Sequence, residues 1–206
     1  RFDTIGQDLV AMCVDDLICV GAAPLFFLDY VAVGQLVPEV MEQLVAGIAN
    51  GCRTAGCALI GGEMAEHPGV METAQFDLVG FAVGAVERSK VLDGSQVAAG
   101  DVLVALESPN LRSNGFSLAR RIVFEVAECS LGEPAWEGAE TTLADELLAP
   151  SVIYAPTVGA VLAEHEVHAV AHITGGGLIG NLPRVMGTKV DALVDAKAWT
   201  PPRFFA

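Results

Sequence analysis

The segment from residue 9 to residue 33 places the tightest limit on the fold, because the helix and the strand that it predicts are both apolar on nearly every side. Residues 9–20 predict a helix that Asp8 caps, and Gly21 and Pro24 end it. Residues 25–33 predict a strand. Elements without a polar face have to be buried between other elements. The segment therefore indicates a layered α/β domain.

The remaining segments predict a mixed α/β fold of two domains. Pro38 starts a helix over residues 39–55, and Gly56 ends it. Further strands are predicted at 57–60, 76–86, 101–106, 167–173 and 190–194, and further helices at 116–127, 150–164 and 178–185. Turn residues predict a boundary between residues 1–92 and residues 93–206. The pattern leaves open whether the strand at 76–86 is parallel or antiparallel to its neighbour.

The charge and the cysteine pattern exclude several classes of binding partner and indicate the cellular compartment. The chain carries 11 basic and 26 acidic residues and no basic stripe, so neither nucleic acid nor an anionic membrane is an expected partner. The longest apolar stretch, residues 9–28, contains Asp15 and Asp16 and predicts no membrane span. The sequence shows no signal-peptide pattern, and its five cysteines have no metal-ligand spacing. These features predict a cytoplasmic protein with reduced thiols.

Asp15, Asp16 and Glu63 form the first group of candidate site residues. Carboxylates in an apolar helix are costly unless their charge is compensated, and a divalent cation is one compensation. Mg²⁺ binds through one or two carboxylates and phosphate oxygens, which fits Asp16 with Glu63. Gly61 and Gly62, directly before Glu63, would let a ligand approach the backbone closely. The alternative is a structural role, either as an N-cap or in a salt bridge with a distant arginine, and for Asp15 alone the alternative is favoured.

A glycine-rich turn and a histidine form the second group. Thr174, Gly175, Gly176 and Gly177 follow a predicted strand and precede a predicted helix, where free N–H groups can hold a phosphate. A tight turn between strand and helix explains the glycines equally well. His172 could accept a proton near neutral pH, although a lone histidine near a strand end is more often a packed residue.

The third group is a polar loop made by Arg112, Ser113, Asn114 and Gly115 ahead of the helix predicted at 116–127. Arg112 could pair with a phosphate of a substrate. Ser113 or Asn114 could instead cap the helix. The pattern leaves both interpretations open.

Several runs of the chain, taken together, resemble the phosphoribosylformylglycinamidine cyclo-ligases, also called aminoimidazole ribonucleotide synthetases. The runs lie in order at residues 3–17, 21–30, 56–66, 113–118, 147–150 and 171–177. They include Gly61-Gly62-Glu63, Ser113-Asn114-Gly115 and His172-Ile173-Thr174-Gly175-Gly176-Gly177. The resemblance covers essentially the whole chain.

The resemblance implies an activity and an assembly. It implies a two-domain homodimer that pairs through the N-terminal sheets and binds ATP with Mg²⁺ beside them. ATP would activate the formyl-amide oxygen of formylglycinamidine ribonucleotide. An amidine nitrogen would then close the imidazole ring, with ADP and phosphate as the other products. It further implies that the family's Asp-Gly-Val-Gly-Thr-Lys segment precedes Arg1, and that much of the second domain follows Ala206.

The resemblance also assigns roles residue by residue. Asp16 and Glu63 match acidic positions on the nucleotide and metal side. The loops at 113–115 and 174–177, with His172, match segments that face substrate or phosphate. Asp15 stands where asparagine is common, which would add negative charge near the metal. Arg112 stands where some members have histidine, so the role of a base does not transfer to it.

Related ATP enzymes and a binding protein are the alternatives to the cyclo-ligase. The broad ATP-binding fold is shared by amidotransferase-type synthetases, selenophosphate synthetase and thiamine-phosphate kinase. The residues in their sequence motifs differ from those of this chain. A maturation-type binding protein that keeps the fold and the dimer surface is the non-enzymatic alternative.

Overall fold

A computed structural model describes residues 1–205, and its N-terminal half is a three-stranded sheet covered by two long helices. The elements are α1 Phe2–Cys19, β1 Ala23–Val33, α2 Pro38–Ala55, β2 Ala58–Glu66 and β3 Phe76–Ala85. The strand order is β2-β1-β3, with β1 parallel to β2 and antiparallel to β3. The strand beginning at Phe76 is therefore antiparallel to its neighbour, which the sequence alone had left open.

The two long helices touch each other through their backbones, because glycines line the contact. A Cβ atom placed on Gly6 of α1 would lie 2.3 Å from the backbone nitrogen of Ile48, and one placed on Gly47 of α2 would lie 2.7 Å from the carbonyl oxygen of Asp3. Both separations are shorter than real Cβ contacts allow. The close approach holds α1 and α2 together as one layer.

This helical layer covers only one face of the sheet. Phe27 and Val31 of β1 point to the helices and are fully buried, and they belong to two core clusters with residues of α1 and α2. Neighbouring residues of a strand point to opposite faces. On the opposite face Val79 is 51% exposed and Phe81 is 60% exposed. The sheet therefore has one packed face and one open apolar face.

Helix α1 is longer than predicted at its start. It begins at Phe2, not at Leu9, and Asp8 does not cap it. The Asp8 carboxylate instead accepts a hydrogen bond of 2.7 Å from the backbone N–H of Ser151, and the neighbouring Gln7 side chain donates to the Ser151 carbonyl at 2.7 Å. Burial raises the pKa of Asp8, and the hydrogen bonds of Ser151 partly oppose that shift. Helix α1 thus joins the C-terminal half of the chain to the N-terminal sheet.

The C-terminal half consists of short helices and extended segments. Its helices are α3 Phe116–Arg120, which continues as a π-helix to Val126, α4 Leu143–Leu147, α5 Ala155–Glu164 and α6 Gly177–Asn181. The three strands predicted at 101–106, 167–173 and 190–194 are wrong, because a strand needs a hydrogen-bonded partner and no described residue pairs with them. The helix predicted from residue 150 begins at Ala155 instead. None of the described helices has the length and apolar character that a membrane crossing demands.

Candidate active site

Asp15 is a buried acceptor that receives hydrogen bonds from three groups of the C-terminal half. Its Oδ2 atom accepts from the Arg112 guanidinium at 2.8 Å, and its Oδ1 atom accepts from the backbone N–H groups of Tyr154 and Ala155 at 2.9 Å each. The Asp15 side chain is 4% exposed. The alternative of a salt bridge with a distant arginine is therefore confirmed. The Arg112 guanidinium balances the negative charge that Asp15 adds, and the expected place of that charge near a metal stays a prediction.

Arg112 makes two further side-chain contacts. Besides Asp15, its guanidinium donates to the Val152 carbonyl at 3.0 Å and lies 5.0 Å from the centre of the Tyr154 ring. Its own backbone has φ 53°, in the left-handed region that side-chain-bearing residues seldom adopt. The buried Asn110 side chain accepts from the Arg112 N–H at 3.0 Å and holds this conformation. The predicted contact of Arg112 with a substrate phosphate stays a prediction.

Asp16, the next residue of α1, contacts the candidate histidine. The Nδ1 atom of His172 lies 2.8 Å from Oδ1 of Asp16. An ionised carboxylate only accepts, so His172 donates through Nδ1–H, and its Nε2 atom keeps a lone pair when the ring is neutral. The His172 side chain is 13% exposed and that of Asp16 is 73% exposed. This pair provides a proton acceptor whose orientation a carboxylate fixes.

A cysteine beside this pair is a poor nucleophile. Burial, followed by the negative charge of Asp16, raises the pKa of the Cys19 thiol to about 11. The reactive form of cysteine is the thiolate, which such a thiol hardly forms at neutral pH. Cys19 is therefore not a candidate nucleophile at neutral pH.

The glycine-rich turn lies next to the polar loop. A Cβ atom placed on Gly175 would lie 3.6 Å from Oδ1 of Asn114, so the two predicted substrate loops meet. The Thr174 hydroxyl donates to the buried Asn181 side chain at 3.2 Å, and the Gly177 N–H donates to the Thr174 carbonyl at 2.9 Å. Asn181, which sequence reasoning missed, in turn donates to the Gly177 carbonyl at 2.8 Å. The predicted strand before this turn is absent, and side-chain hydrogen bonds shape the turn instead.

The polar loop does not cap the helix that follows it. The N-cap of α3 is Gly115, with φ 86° and no side-chain cap hydrogen bond, so Ser113 and Asn114 do not serve as caps. Arg112 and Ser113 line a cavity of about 280 Å³ together with residues of α1. Ser113 of the loop thus borders an open volume.

Gly61, Gly62 and Glu63 lie within strand β2, which runs farther than predicted. With Asp29 they line a cleft of about 440 Å³ at the edge of the sheet. A Cβ atom placed on Gly62 would lie 1.7 Å from Oδ1 of Asp29, so only glycine fits there. Burial raises the pKa of Asp29. Sequence reasoning missed Asp29 as a site residue, although a carboxylate inside an apolar strand was the available signal.

The structure does not bring Glu63 to Asp16. The cleft that Glu63 lines contains no residue of α1 or of the loops at 112–115 and 172–177. Glu63 accepts from the backbone N–H of Met64 at 3.0 Å. Among residues 1–205, no three His, Cys, Asp or Glu side chains are grouped as a metal site. A shared site of Asp16 and Glu63 stays a prediction.

Comparisons with solved structures match this architecture. Thiamine-monophosphate kinase from Stenotrophomonas maltophilia K279a superposes with a TM-score of 0.60 at 22% identity, over 89% of this chain and 53% of that one. The hydrogenase maturation protein HypE of E. coli superposes with a TM-score of 0.57 at 18% identity, over 85% of this chain and 49% of that one. At such identities the similarity establishes the fold alone.

Curated relatives are much more similar in sequence. Phosphoribosylformylglycinamidine cyclo-ligase of Anaeromyxobacter dehalogenans is 53% identical over 205 residues, which are 100% of this chain and 59% of the relative. The enzyme of the same name from Alkaliphilus oremlandii is 48% identical over 205 residues, 100% of this chain and 60% of the relative. The chain therefore spans about three fifths of the length of these relatives.

Two family profiles divide the chain between them. The N-terminal domain of AIR synthase related proteins matches residues 1–86, and the C-terminal domain matches residues 98–206. The second match alone covers more than half of the chain. The chain therefore belongs to the family of AIR synthase related proteins.

Proposed function

We propose that the protein closes the imidazole ring of formylglycinamidine ribonucleotide at the expense of ATP, a step of purine nucleotide synthesis. The balanced reaction converts ATP and this substrate into aminoimidazole ribonucleotide, ADP, phosphate and a proton. The observation that carries the proposal is the contact of His172 with Asp16 beside the meeting point of Asn114 and Gly175. It stands in a chain that is 53% identical to a cyclo-ligase.

His172 is the proposed proton acceptor. Asp16 holds its Nδ1–H at 2.8 Å, which leaves Nε2 to accept the proton that the attacking amidine nitrogen loses on ring closure. The imidazolium formed in this way would lie next to the Asp16 carboxylate, which stabilises it. Low exposure of the imidazole, 13%, limits competition from bulk water.

The two loops are the proposed contacts of substrate and phosphate. Ser113 lines the cavity and offers a hydroxyl, and Asn114 and Gly115, which follow it in the chain, offer an amide and a backbone without a side chain. The turn of residues 174–177 lies against Asn114 through Gly175. Groups from two loops that meet at one point can orient a single molecule between them.

ATP and Mg²⁺ are proposed to bind through two separate carboxylates, Asp16 and Glu63, and through the glycines next to Glu63. The oxygen donors fit Mg²⁺, which binds to carboxylates and phosphate oxygens and keeps several waters. Gly61 and Gly62 border the cleft at the sheet edge without side chains, so a nucleotide can approach their backbone. When bound, Mg²⁺ would supply charge that offsets the negative phosphates.

The assembly proposed is a cytoplasmic homodimer that pairs through its N-terminal sheets. The open face of the sheet supports it, since Val79 and Phe81 stand exposed there and soluble proteins seldom leave large apolar patches uncovered. A division into domains of residues 1–92 and 93–206 is part of the proposal. The gap between the two family matches, residues 87–97, supports that boundary.

ADP release by the purified protein, with and without formylglycinamidine ribonucleotide, tests the function. Release that depends on this substrate, with aminoimidazole ribonucleotide as product, is the expected result. Binding of Mg-ATP without such dependence would reject the cyclo-ligase in favour of a related ATP enzyme with another acceptor. Absence of ATP binding would favour a binding protein.

A further inference from the structure

The Arg112 guanidinium is held by groups of the protein itself. Its two terminal nitrogens donate to Asp15 and to the Val152 carbonyl, its plane lies over Tyr154, and its side chain is 10% exposed. A phosphate could take the place of Asp15 only by breaking this ion pair. Breaking a buried ion pair on one side leaves an uncompensated charge, which is strongly unfavourable.

We propose that Arg112 is a positioning residue, which fixes the substrate loop of residues 113–115 to helix α1 through Asp15. This inference rests on the proposed function for its effect on turnover, whereas its effect on loop order does not depend on that function. Arg112 and Asp15 are separated by 97 positions, so their bond ties a loop of the C-terminal half to a helix of the N-terminal half.

Asp15 is built to hold this bond in one geometry. Its Oδ1 atom is occupied by the two N–H groups at the start of α5, and only Oδ2 points to Arg112. With three hydrogen bonds on its two oxygen atoms, the carboxylate cannot rotate without losing some of them inside a buried region. The guanidinium therefore meets an acceptor whose position is already set.

The backbone conformation of Arg112 determines the direction in which the loop leaves this fixed position. Its φ of 53° turns the chain sharply before Ser113, and an arginine adopts that value only where other contacts hold it. Those contacts are the ion pair on the side chain and the hydrogen bond of the Arg112 N–H to Asn110. Releasing the side chain would let the loop relax away from Asn114's present place.

The carboxylate of Asp16, next to Asp15, connects the position of the loop to the candidate catalytic histidine. Asp16 holds His172, and Asp15 holds Arg112, so consecutive residues of one helix hold the two loops that meet at Asn114 and Gly175. The Asp15–Arg112 bond therefore sets where Asn114 stands relative to His172. Such placement affects the rate of a reaction more than the binding of its substrate.

The test is a double-mutant cycle with R112M, D15N and the double variant, with R121M as control. Arg121 is exposed and forms only a 4.0 Å surface contact with Glu125, so R121M makes the same chemical change without the ion pair. R112M should lower kcat about ten- to a hundredfold while KM for formylglycinamidine ribonucleotide changes less than about threefold. The double variant should lose less than the product of the single losses, because it removes both charges.

A second measurement keeps the inference testable whatever the activity. Amide hydrogen exchange of the segment at 109–118 should be faster in R112M than in the wild type and unchanged in R121M. R112K, which keeps the charge, should fall between them and should fold even if R112M does not. A large rise in KM with kcat intact would make Arg112 a substrate ligand, and losses that multiply or unchanged exchange would also overturn the positioning role.

Discussion

Replacing Gly6 with alanine tests whether the helix contact positions the site. The added Cβ would lie 2.3 Å from the Ile48 nitrogen and 2.7 Å from the Gly47 carbonyl carbon, both backbone atoms that no side-chain rotation can move. An ordinary contact needs about 3.4 Å or more, so α1 and α2 must separate by about 1 Å. The substitution therefore forces a movement of the helix that carries Asp15 and Asp16.

The change in the free energy of unfolding follows from two opposing contributions. Overpacking of a tight contact costs about 1–3 kcal/mol, and the upper part of that range, about 2–3 kcal/mol, applies here because backbone atoms clash. Alanine in a helix regains about 1 kcal/mol over glycine. We expect a net loss of about 1–2 kcal/mol in the free energy of unfolding. A helix displaced by about 1 Å should also lower kcat/KM by up to about a hundredfold.

Chemical denaturation and steady-state kinetics measure the two effects, and G180A is the matched control. Gly180 also lies in a helix, but a Cβ atom there meets nothing within 4 Å. G180A should therefore be neutral or slightly stabilising. A G6A protein as stable and active as the wild type would refute the reasoning, since it would show that the helices can part without consequence.

Three further substitutions or treatments have defined outcomes. H172A should lower kcat about a hundred- to ten-thousandfold with nearly unchanged ATP affinity, as removal of a general base does; a fully active variant in a steady-state assay would make His172 a packed residue only. E63Q should weaken Mg-ATP binding in calorimetry without changing the unfolding midpoint, and unchanged affinity would remove Glu63 from the nucleotide site. Burial raises the pKa of the Cys52 thiol to about 12, and its side chain is 2% exposed, so iodoacetamide at pH 8 should label it only after unfolding. Rapid labelling of Cys52 in the folded protein, followed by mass spectrometry, would contradict this burial.

Local signals predicted the N-terminal elements well and the C-terminal ones poorly. Pro38 and Gly56 mark the ends of α2 correctly, because capping acts within one turn of the chain. Asp8 has the right side chain for an N-cap, yet its partner is Ser151, which lies 143 positions away. The strand predicted at 101–106 has the right composition, but strand formation depends on a partner, which composition does not supply.

The sequence predicted which residues form the candidate site, but it did not predict which of them contact each other. The motifs around His172 and Ser113 indicated residues that the structure brings to one place, through Gly175 and Asn114. No local pattern could pair Asp15 with Arg112, because the bond depends on how two distant segments pack. The same limit applies to Asp29, whose position in the cleft follows from its register opposite Gly62.

Helix α1 contacts its surroundings at Gly6 on one side and at Asp15 on the other. An α-helix turns by about 100° per residue, so the step from position 6 to position 15 is about two and a half turns and places the two residues on opposite sides. One residue inserted between them would leave composition, hydropathy and helix propensity intact. It would nevertheless rotate Asp15 away from Arg112 or Gly6 away from Ile48. The number of residues between Gly6 and Asp15 sets the angle between their side chains. It is therefore constrained more tightly than the identity of exposed residues in the segment, such as Met12.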